Sequence, residues 1–186
     1  MKTLKQITTL IIVLCIANGF SQSKTINTKK SSINWTGKAA FNAYSLTGTL
    51  NVKNGSITID NDSITSLNII IDMKSLDHEN GDLKKHLRSK DFFEVNTYKE
   101  ASYSISEPVQ INNGKAIITG KMKIKDIEKD ETFIVALNND YSELTFNISM
   151  DRTLYGVKFN SPSFFKKMKE NAIADEFKLK GSLVLE

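Results

Sequence analysis

His78 and His86 are the side chains of this sequence best suited to moving a proton or binding a metal ion near neutral pH. They lie eight positions apart, which is not the spacing of two ligands on one helical face. The sequence has one Cys, too few for a thiolate zinc cluster, and no nucleophile elbow or Ser-His-Asp arrangement can be recognised. Residues 60–63 (DNDS) lack the glycine of a calcium loop and predict a turn. We therefore expect no catalytic centre, metal site or cofactor.

His86 and Arg88 are the polar residues best suited to contacting a ligand. An imidazole and a guanidinium at the mouth of a barrel could bind a phosphate or another polar head group. The alternative is that Arg88 pairs with an acid such as Asp91 and that His86 packs locally. Asp151 and Arg152 allow the same two interpretations.

The first residues of the chain predict the compartment. Lys2 and Lys5 precede an almost wholly apolar run, residues 7–17, and small residues follow it. This pattern is typical of a secretory signal peptide, and the apolar run is too short to span a bilayer comfortably. We expect residues 1–21 to be removed by cleavage near Ser21. Removal also takes away Cys15, and the Cys-free remainder suits the periplasm or secretion.

Net charge argues against nucleic acid as a partner. The whole chain carries +4, and without Lys2 and Lys5 the excess of basic over acidic residues falls to two. Acidic residues are spread through the sequence, so no basic face of the kind that binds nucleic acid is expected.

Most of the chain alternates apolar and polar residues with the period of a β-strand. The alternation predicts about eight to ten strands in a single domain, residues 22–186. One strand starting at Tyr44 is expected to end in a turn at Asn54-Gly55. Short turn signals at residues 60–62, 112–114 and 138–140 predict hairpins and an antiparallel sheet. Such strands form either a sandwich or a barrel, and periodicity does not choose between them.

Two segments depart from the alternation and predict short helices. Residues 82–88 begin with Asp82 as a potential N-cap, and Leu83 and Leu87 lie one turn apart. Residues 161–169 begin with Ser161 and Pro162 and place an apolar stripe opposite lysines. Phe164 and Phe165 beside Lys166, Lys167 and Lys169 would allow transient contact with an anionic membrane surface.

Residues 86–98, HLRSKDFFEVNTY, resemble the most characteristic segment of the YceI-like family. Further similar segments are residues 32–38 (SINWTGK), 46–48 (LTG) with 54–55 (NG), 119–124 (TGKMKI) and 151–157 (DRTLYGV). The resemblance implies an all-β fold, an extended eight-stranded antiparallel lipocalin-like barrel with one or two short helices. It also implies a periplasmic protein that binds polyisoprenoid or similar long-chain lipids.

Three positions depart from the family pattern. Lys99 stands where a proline is usual, Asp126 stands where a turn glycine is usual, and Ala43-Tyr44 stand where a histidine is common. The first two alter turns and leave the fold intact. The third changes how a head group would be bound.

We expect the ligand to contact apolar and aromatic residues of the alternating face and of the first helix, together with the two polar candidates. Burial of a long chain needs no catalytic group, because each methylene removed from water contributes about 0.8 kcal/mol. The candidate ligand-binding residues are Trp35, Tyr44, Leu46, Leu50, Ile69, Ile71, His86, Leu87, Arg88, Phe92, Phe93, Tyr103, Ile118, Met122, Phe133, Phe146 and Ile148.

Three functions follow from this sequence. The first is a non-enzymatic carrier that holds an isoprenoid or fatty amphiphile, which a homodimer could share if the ligand exceeds one barrel. The second is a protein-interaction or stress-response module with a filled barrel. The third is a lipid-modifying enzyme that uses His86 as a base.

Overall fold

The computed structural model describes residues 21–165 and 171–186. Strands dominate this part of the chain, with one short α-helix and one 3-10 turn. The strands are β1 (Gln22–Thr25), β2 (Ser32–Ala39), β3 (Ser45–Asp60), β4 (Ser63–Asp77), β5 (Glu100–Ile105), β6 (Val109–Gln110), β7 (Lys115–Ile124), β8 (Ile127–Leu137), β9 (Glu143–Asp151) and β10 (Ile173–Val184). The helix α1 covers Gly81–Arg88, and the 3-10 turn covers Arg152–Tyr155.

Eight strands close into an antiparallel barrel. The order is β3-β2-β10-β9-β8-β7-β5-β4, and β4 pairs again with β3. Strands β1 and β6 lie outside the ring and extend it along β3 and β4 respectively. Burial alternates strictly along β7, as expected for a strand with one face inside and one in water. The predicted eight-stranded antiparallel barrel is confirmed, and the sandwich alternative is wrong.

The turn expected at Asn54-Gly55 does not form. Strand β3 continues through both residues to Asp60, with a register shift between Val52 and Asn54. A Cβ at Gly55 would lie 2.5 Å from the side chain of Ile26 and 2.7 Å from the carbonyl oxygen of Asn68. Glycine at this position therefore permits close packing of neighbouring chain segments. Glycine in the middle of a strand often marks such a close approach.

The chain turns instead at Asn61 and Asp62, whose φ angles are 47° and 57°. Two consecutive positive φ angles are typical of the tight hairpin turn that matches the twist of antiparallel strands. Lys125 and Asp126 join β7 to β8 in the same way, with φ angles of 51° and 59°. Asp126 thus takes the backbone conformation that the family's usual glycine would adopt easily.

The first predicted helix forms, and its cap differs from the prediction. Asn80 is the N-cap, and its side-chain oxygen accepts hydrogen bonds from the backbone N–H groups of Asp82 and Leu83, each at 3.0 Å. Asp82 lies one residue inside the helix, in the first turn. The second predicted helix is not seen over residues 161–165, which form a turn. Residues 166–169 of that prediction, like residues 1–20 of the predicted signal peptide, lie outside the described residues.

The two ends of the barrel differ. The lower end, where β3 meets β4 and β10 finishes, is filled by side chains that are almost fully buried, among them Ile26, Ile57, Ile64 and Leu185. The upper end carries the β2–β3 loop, α1 and the connection from β9 to β10. Among the described residues, no helix has the length and apolar character to cross a bilayer.

Candidate functional site

A cavity of about 660 Å³ occupies the barrel above its packed lower end. Leu67, Leu144 and Leu183 form its floor, and the wall is built by the inward residues of the eight barrel strands. Along β10, Leu183 lies ten positions after Ile173, and both residues line this wall. At about 3.3 Å per residue and a strand tilt of about 40°, the lining extends about 25 Å along the barrel axis. That length exceeds the roughly 15 Å spanned by one leaflet of a bilayer's hydrocarbon core.

Every candidate ligand-binding residue of the sequence except Arg88 lines this cavity. The residues brought together are Trp35, Tyr44, Leu46, Leu50, Ile69, Ile71, His86, Leu87, Phe92, Phe93, Tyr103, Ile118, Met122, Phe133, Phe146 and Ile148. They come from seven strands, from the β2–β3 loop, from α1 and from the loop that follows α1. Closure of the barrel makes them neighbours.

Glycines on adjacent strands make room for two aromatic rings of the wall. Gly48 is the register partner of Trp35, and a Cβ there would lie 2.5 Å from the indole ring. Gly181 is the partner of Phe146, and a Cβ there would also lie 2.5 Å from the ring. Each ring therefore lies flat across its neighbouring strand and leaves the barrel interior open.

Tyr103 is a polar side chain deep in the wall. Its hydroxyl donates to the carbonyl oxygen of Ile118 at 3.3 Å, and its ring packs on Phe133 with centroids 5.2 Å apart. Burial, and to a lesser degree the charge of Glu131, raises the pKa of Tyr103 above its ordinary value. The phenol is therefore uncharged at neutral pH, and this part of the cavity stays apolar.

His86 reaches the cavity from α1 and packs between two aromatic rings. It meets Phe92 edge-on at 5.0 Å and Phe159 edge-on at 4.7 Å between centroids. The carboxylate of Asp91 lies 3.7 Å from its Nε2 atom. The sequence interpretation in which His86 packs locally therefore describes its surroundings, while the ring still borders the cavity.

Arg88 lies outside the cavity, contrary to its selection as a ligand-binding candidate. Its guanidinium donates to the backbone carbonyl oxygens of Leu76, at 2.8 Å, and Lys74, and it makes no ion pair with Asp91. The reason is helical geometry: Leu83, His86 and Leu87 share the inward face of α1, and the next residue points about 100° away from Leu87. Arg88 therefore attaches α1 to the end of β4.

Arg152 borders the cavity, but its guanidinium is hydrogen-bonded to backbone groups of the protein. The side chain is 4% exposed and donates to the carbonyl oxygens of Val157, Ile173 and Ala174 at 2.8 to 3.0 Å. Asp175 lies 3.7 Å away as its counter-ion. Burial lowers the pKa of Arg152, and the nearby Asp175 opposes that shift.

Asp151 caps the 3-10 turn by accepting a hydrogen bond from the N–H of Thr153. Asp151 and Arg152 thus both stabilise the described backbone between β9 and β10.

The cavity also includes residues that the sequence selection missed. Ile33 and Leu179 lie on the alternating faces of β2 and β10, so their periodicity could have identified them. Phe159 lies in an irregular loop, where no period marks an inward side chain. Further lining residues not selected from the sequence include Met73, Leu76, Leu83, Ala101, Ile173 and Phe177.

Polar groups concentrate at the upper end of the cavity. Those at the mouth are Lys38, Asn42, Tyr44, Asn160, Asn171 and Glu176. The floor and middle wall are aliphatic and aromatic. Within the described residues, no group of three or more potential metal-ligating side chains occurs. The arrangement can bury an apolar chain in the interior and leave a polar end at the mouth.

A closed antiparallel barrel of eight strands with an apolar interior open at one end has the architecture of the lipocalin-like barrels. The sequence comparison is more specific: the model of the YceI-like domain matches residues 25–185. The chain therefore belongs to the YceI-like family, as the resemblance of residues 86–98 indicated.

Curated relatives support the assignment. The chain is 30% identical over 121 residues to a UPF0312 protein of Vibrio campbellii, covering 62% of this chain and 64% of that protein. It is 35% identical over 86 residues to a UPF0312 protein of Photorhabdus laumondii, covering 45% and 44% respectively. The matched stretches thus span less than two thirds of these relatives.

Solved structures share the fold. BcnA of Burkholderia cenocepacia superimposes with a TM-score of 0.65 at 20% identity, covering 86% of this chain and 98% of that one. A polyisoprenoid-binding domain from Saccharophagus degradans, described as implicated in plant cell wall breakdown, gives 0.64 at 12% identity, covering 88% and 97%. At these identities the likeness establishes the barrel fold.

Proposed function

We propose that this protein is a periplasmic or secreted carrier that binds one long-chain amphiphile, of the polyisoprenoid or fatty-acid kind, inside its barrel. The observation that carries the proposal is the distribution of polarity in the cavity: an apolar interior about 25 Å long with polar residues at its single mouth. An amphiphile has the same distribution, so its chain fits the interior and its head group fits the mouth.

The energetics favour a long chain. Each methylene transferred from water into the barrel contributes about 0.8 kcal/mol, so a chain of ten carbons gains roughly 8 kcal/mol before the entropy cost of binding. Arg152, the buried cation at the described part of the cavity wall, is already paired within the protein, so a ligand chain does not have to neutralise it. The polyisoprenoid-binding domain of similar fold supports the choice of ligand class.

The proposed location rests on the N-terminal sequence. Residues 1–21 combine lysines, an apolar run and small residues in the order of a signal peptide. A carrier outside the cytoplasm has a physical purpose, because long-chain lipids need a protected route between membranes through water.

The filled-barrel module and the lipid-modifying enzyme are weaker candidates. A filled barrel conflicts with the cavity of about 660 Å³. His86 borders the cavity, but its ring is packed edge-on between Phe92 and Phe159 as part of the wall.

Gly37 offers a direct test of the cavity. It lines the interior of β2, and a Cβ added there meets no atom within 4 Å, so Gly37→Trp projects an indole into the hollow without disturbing the wall. Gly81 is the matched control, because a Cβ there also meets open space and the residue is exposed at the start of α1. Both variants and the wild type would be expressed with the N-terminal segment and examined by native mass spectrometry, then extracted with organic solvent.

We expect wild type and Gly81→Trp to carry one long-chain lipid per protein and Gly37→Trp to carry little or none. The extract identifies the chain and head group, and the mass of the mature protein reports cleavage near Ser21. A wild-type protein that is free of lipid and takes up no added prenyl or fatty chain would contradict the carrier function. Equal lipid content in both Trp variants would place the ligand outside the barrel.

A further inference from the structure

We propose that the upper rim of the barrel docks on the surface of an anionic lipid bilayer, an inference that rests on the proposed carrier function and adds where the ligand is exchanged. The rim is defined as the exposed aromatic and basic residues of two segments, residues 38–44 at the end of β2 and in the β2–β3 loop, and residues 158–165. Its members are Lys38, Phe41, Tyr44, Lys158, Phe164 and Phe165.

Exposed aromatic side chains concentrate on this rim. Among the described residues, seven large apolar side chains are exposed, and four of them belong to the rim. Phe41 is 65% exposed and Tyr44 63%, while Phe164 and Phe165 are each 48% exposed. Of the other three, Ile117 and Ile134 face each other on the outer wall, and Leu154 lies on the 3-10 turn. All four of the exposed aromatic side chains among the described residues thus belong to the rim.

Backbone hydrogen bonds hold the rim segments together. The N–H of Ala40 donates to the carbonyl oxygen of Ala172 at 2.8 Å, which ties the β2–β3 loop to the start of β10. The N–H of Ile173 donates to the carbonyl oxygen of Asn160 at 2.9 Å, which ties the same strand to the other rim segment. The two rim segments therefore both lie beside the start of β10, at the same end of the barrel.

The rim is continuous with the mouth of the cavity. Lys38 and Tyr44 belong to the rim and also line the cavity, and Asn42 and Asn160 line it from the same two loops. A surface that covers the rim would consequently cover the opening through which a chain enters or leaves. This continuity distinguishes the rim from the pair of isoleucines on the outer wall.

The charge of the rim complements an anionic surface. Residues 38–44 and 158–165 contain two lysines and no acidic residue. The Nζ atom of Lys158 lies 4.4 Å from the ring centroid of Phe164, so cation and aromatic ring are presented together. Asp175 is bonded to Ser163 and paired with Arg152, and Glu176 is the acidic residue among the described residues that line the cavity. The net positive charge is modest, and the aromatic rings supply most of the contact.

This combination is the chemistry of a membrane interface. Aromatic rings favour the head-group layer of bilayers, and lysines are attracted by anionic lipids. Docking also lowers the barrier for exchange, because a chain that passes directly between bilayer and cavity avoids water. Each methylene exposed during the transfer would slow it roughly fourfold.

The test is co-sedimentation of the mature protein with vesicles of phosphatidylglycerol and phosphatidylcholine in equal parts. The rim variant combines Phe41→Ser with Phe165→Ser, neither of which lines the cavity. The matched wall variant combines Ile117→Ser with Ile134→Ser and removes the same number of exposed apolar side chains from the outer strands. Lys158→Gln tests the charge separately.

We expect the wild type and the wall variant to sediment with anionic vesicles and the rim variant to lose at least tenfold in partition coefficient. Lys158→Gln should lose about fivefold at low salt. A wild type that stays in the supernatant, or rim and wall variants that sediment alike, would overturn the proposal. Self-association abolished by the rim substitutions in the absence of vesicles would also overturn it, since a second copy would then be the partner.

Native mass spectrometry separates this proposal from the carrier function. The rim variant should keep its lipid once loaded, and Gly37→Trp should lose its lipid and still sediment with vesicles. If no variant or wild type carries lipid but the wild type binds vesicles through the rim, the carrier function fails and the docking surface stands.

Discussion

Tyr103 and Tyr155 are nearly inaccessible tyrosines, 5% and 0% exposed, and both belong to the barrel framework. The hydroxyl of Tyr155 donates to Oε1 of Glu131 at 2.7 Å. Burial raises the pKa of each phenol above its ordinary value, and Glu131 adds to the shift. Together with Arg152, they show how single buried polar residues fix the backbone around an apolar interior.

These tyrosines predict how stability depends on alkaline pH. Below about pH 10 each phenol is protonated in both folded and unfolded chains, so the folded state keeps its full stability. Above that pH the unfolded phenols ionise while the buried ones keep their protons, which stabilises the unfolded state. We expect the free energy of unfolding to fall by up to about 1.4 kcal/mol per pH unit for each tyrosine.

Urea unfolding between about pH 9 and pH 11 measures this dependence. The double variant Tyr103→Phe with Tyr155→Phe should show a shallower decline than the wild type. Tyr44→Phe, which changes an exposed tyrosine, should keep the wild-type slope. Parallel declines in all three proteins would mean that other groups control alkaline unfolding.

At the residue scale, the sequence could identify inward side chains wherever they belong to an alternating strand. Phe133 and Ile148 are examples, because their periodicity alone assigns them to one face. It could not identify all the partners of Arg152, since two of the three carbonyl oxygens that accept from it belong to Ile173 and Ala174, about twenty positions later in the chain. Arg88 was expected at the cavity but lies outside it, because a shift of one residue changes the face of a short helix on which a side chain lies.

At the scale of elements, α1 is the cover over one side of the cavity. Leu83, His86 and Leu87 face the interior, and Arg88 and Lys84 attach the helix to the end of β4. The Lys84–Asp77 pair holds the pKa of Asp77 below its usual value, chiefly through the hydrogen bond from Lys84. An eight-residue helix is not stable alone, so these attachments determine whether it stays closed.

Arg88→Ala should therefore loosen α1 rather than remove a head-group contact. We expect a loss of about 1 kcal/mol, because two backbone carbonyl groups lose a charged donor at a partly exposed site. Hydrogen exchange followed by mass spectrometry should show faster exchange of the α1 amides, with the strands unchanged. Lys85→Ala, an exposed position on the same helix, should exchange like the wild type. Unchanged α1 exchange in Arg88→Ala would show that the guanidinium is not the attachment.

The sequence predicted α1 and most strands because each has a regular period. It failed at Asn54-Gly55, where a turn-forming pair occupies the middle of β3. The deciding contact is the packing of Gly55 against Ile26 and Asn68, which adjoin it only when β1 and β4 pair with β3. A local signal was therefore overridden by tertiary packing.

At the scale of the whole molecule, the barrel is packed below and hollow above. Ile64 is fully buried in the lower end, whereas Ile148 is half-buried and borders the cavity. The sequence could predict the strands of the barrel but not this division, because inward residues have the same period whether they touch each other or face empty space.

Truncating one isoleucine at each end of the barrel tests whether the lower end is packed and the upper end hollow. Ile64→Ala should lower the free energy of unfolding by about 3 kcal/mol, because it creates a cavity in a close-packed region. Ile148→Ala should cost about 1 kcal/mol in lipid-free protein, because its side chain already lacks neighbours on one side. Urea unfolding of both variants gives the comparison. Equal losses would indicate that the upper interior is packed like the lower one.

The packed lower end also governs how one bound molecule replaces another. Leu67, Leu144 and Leu183 close the floor, so a chain can leave only through the mouth by which it entered. In the proposed carrier, a second chain therefore cannot push the first out from behind. We expect replacement to be sequential: its rate is set by departure of the resident molecule and does not increase with the concentration of the newcomer.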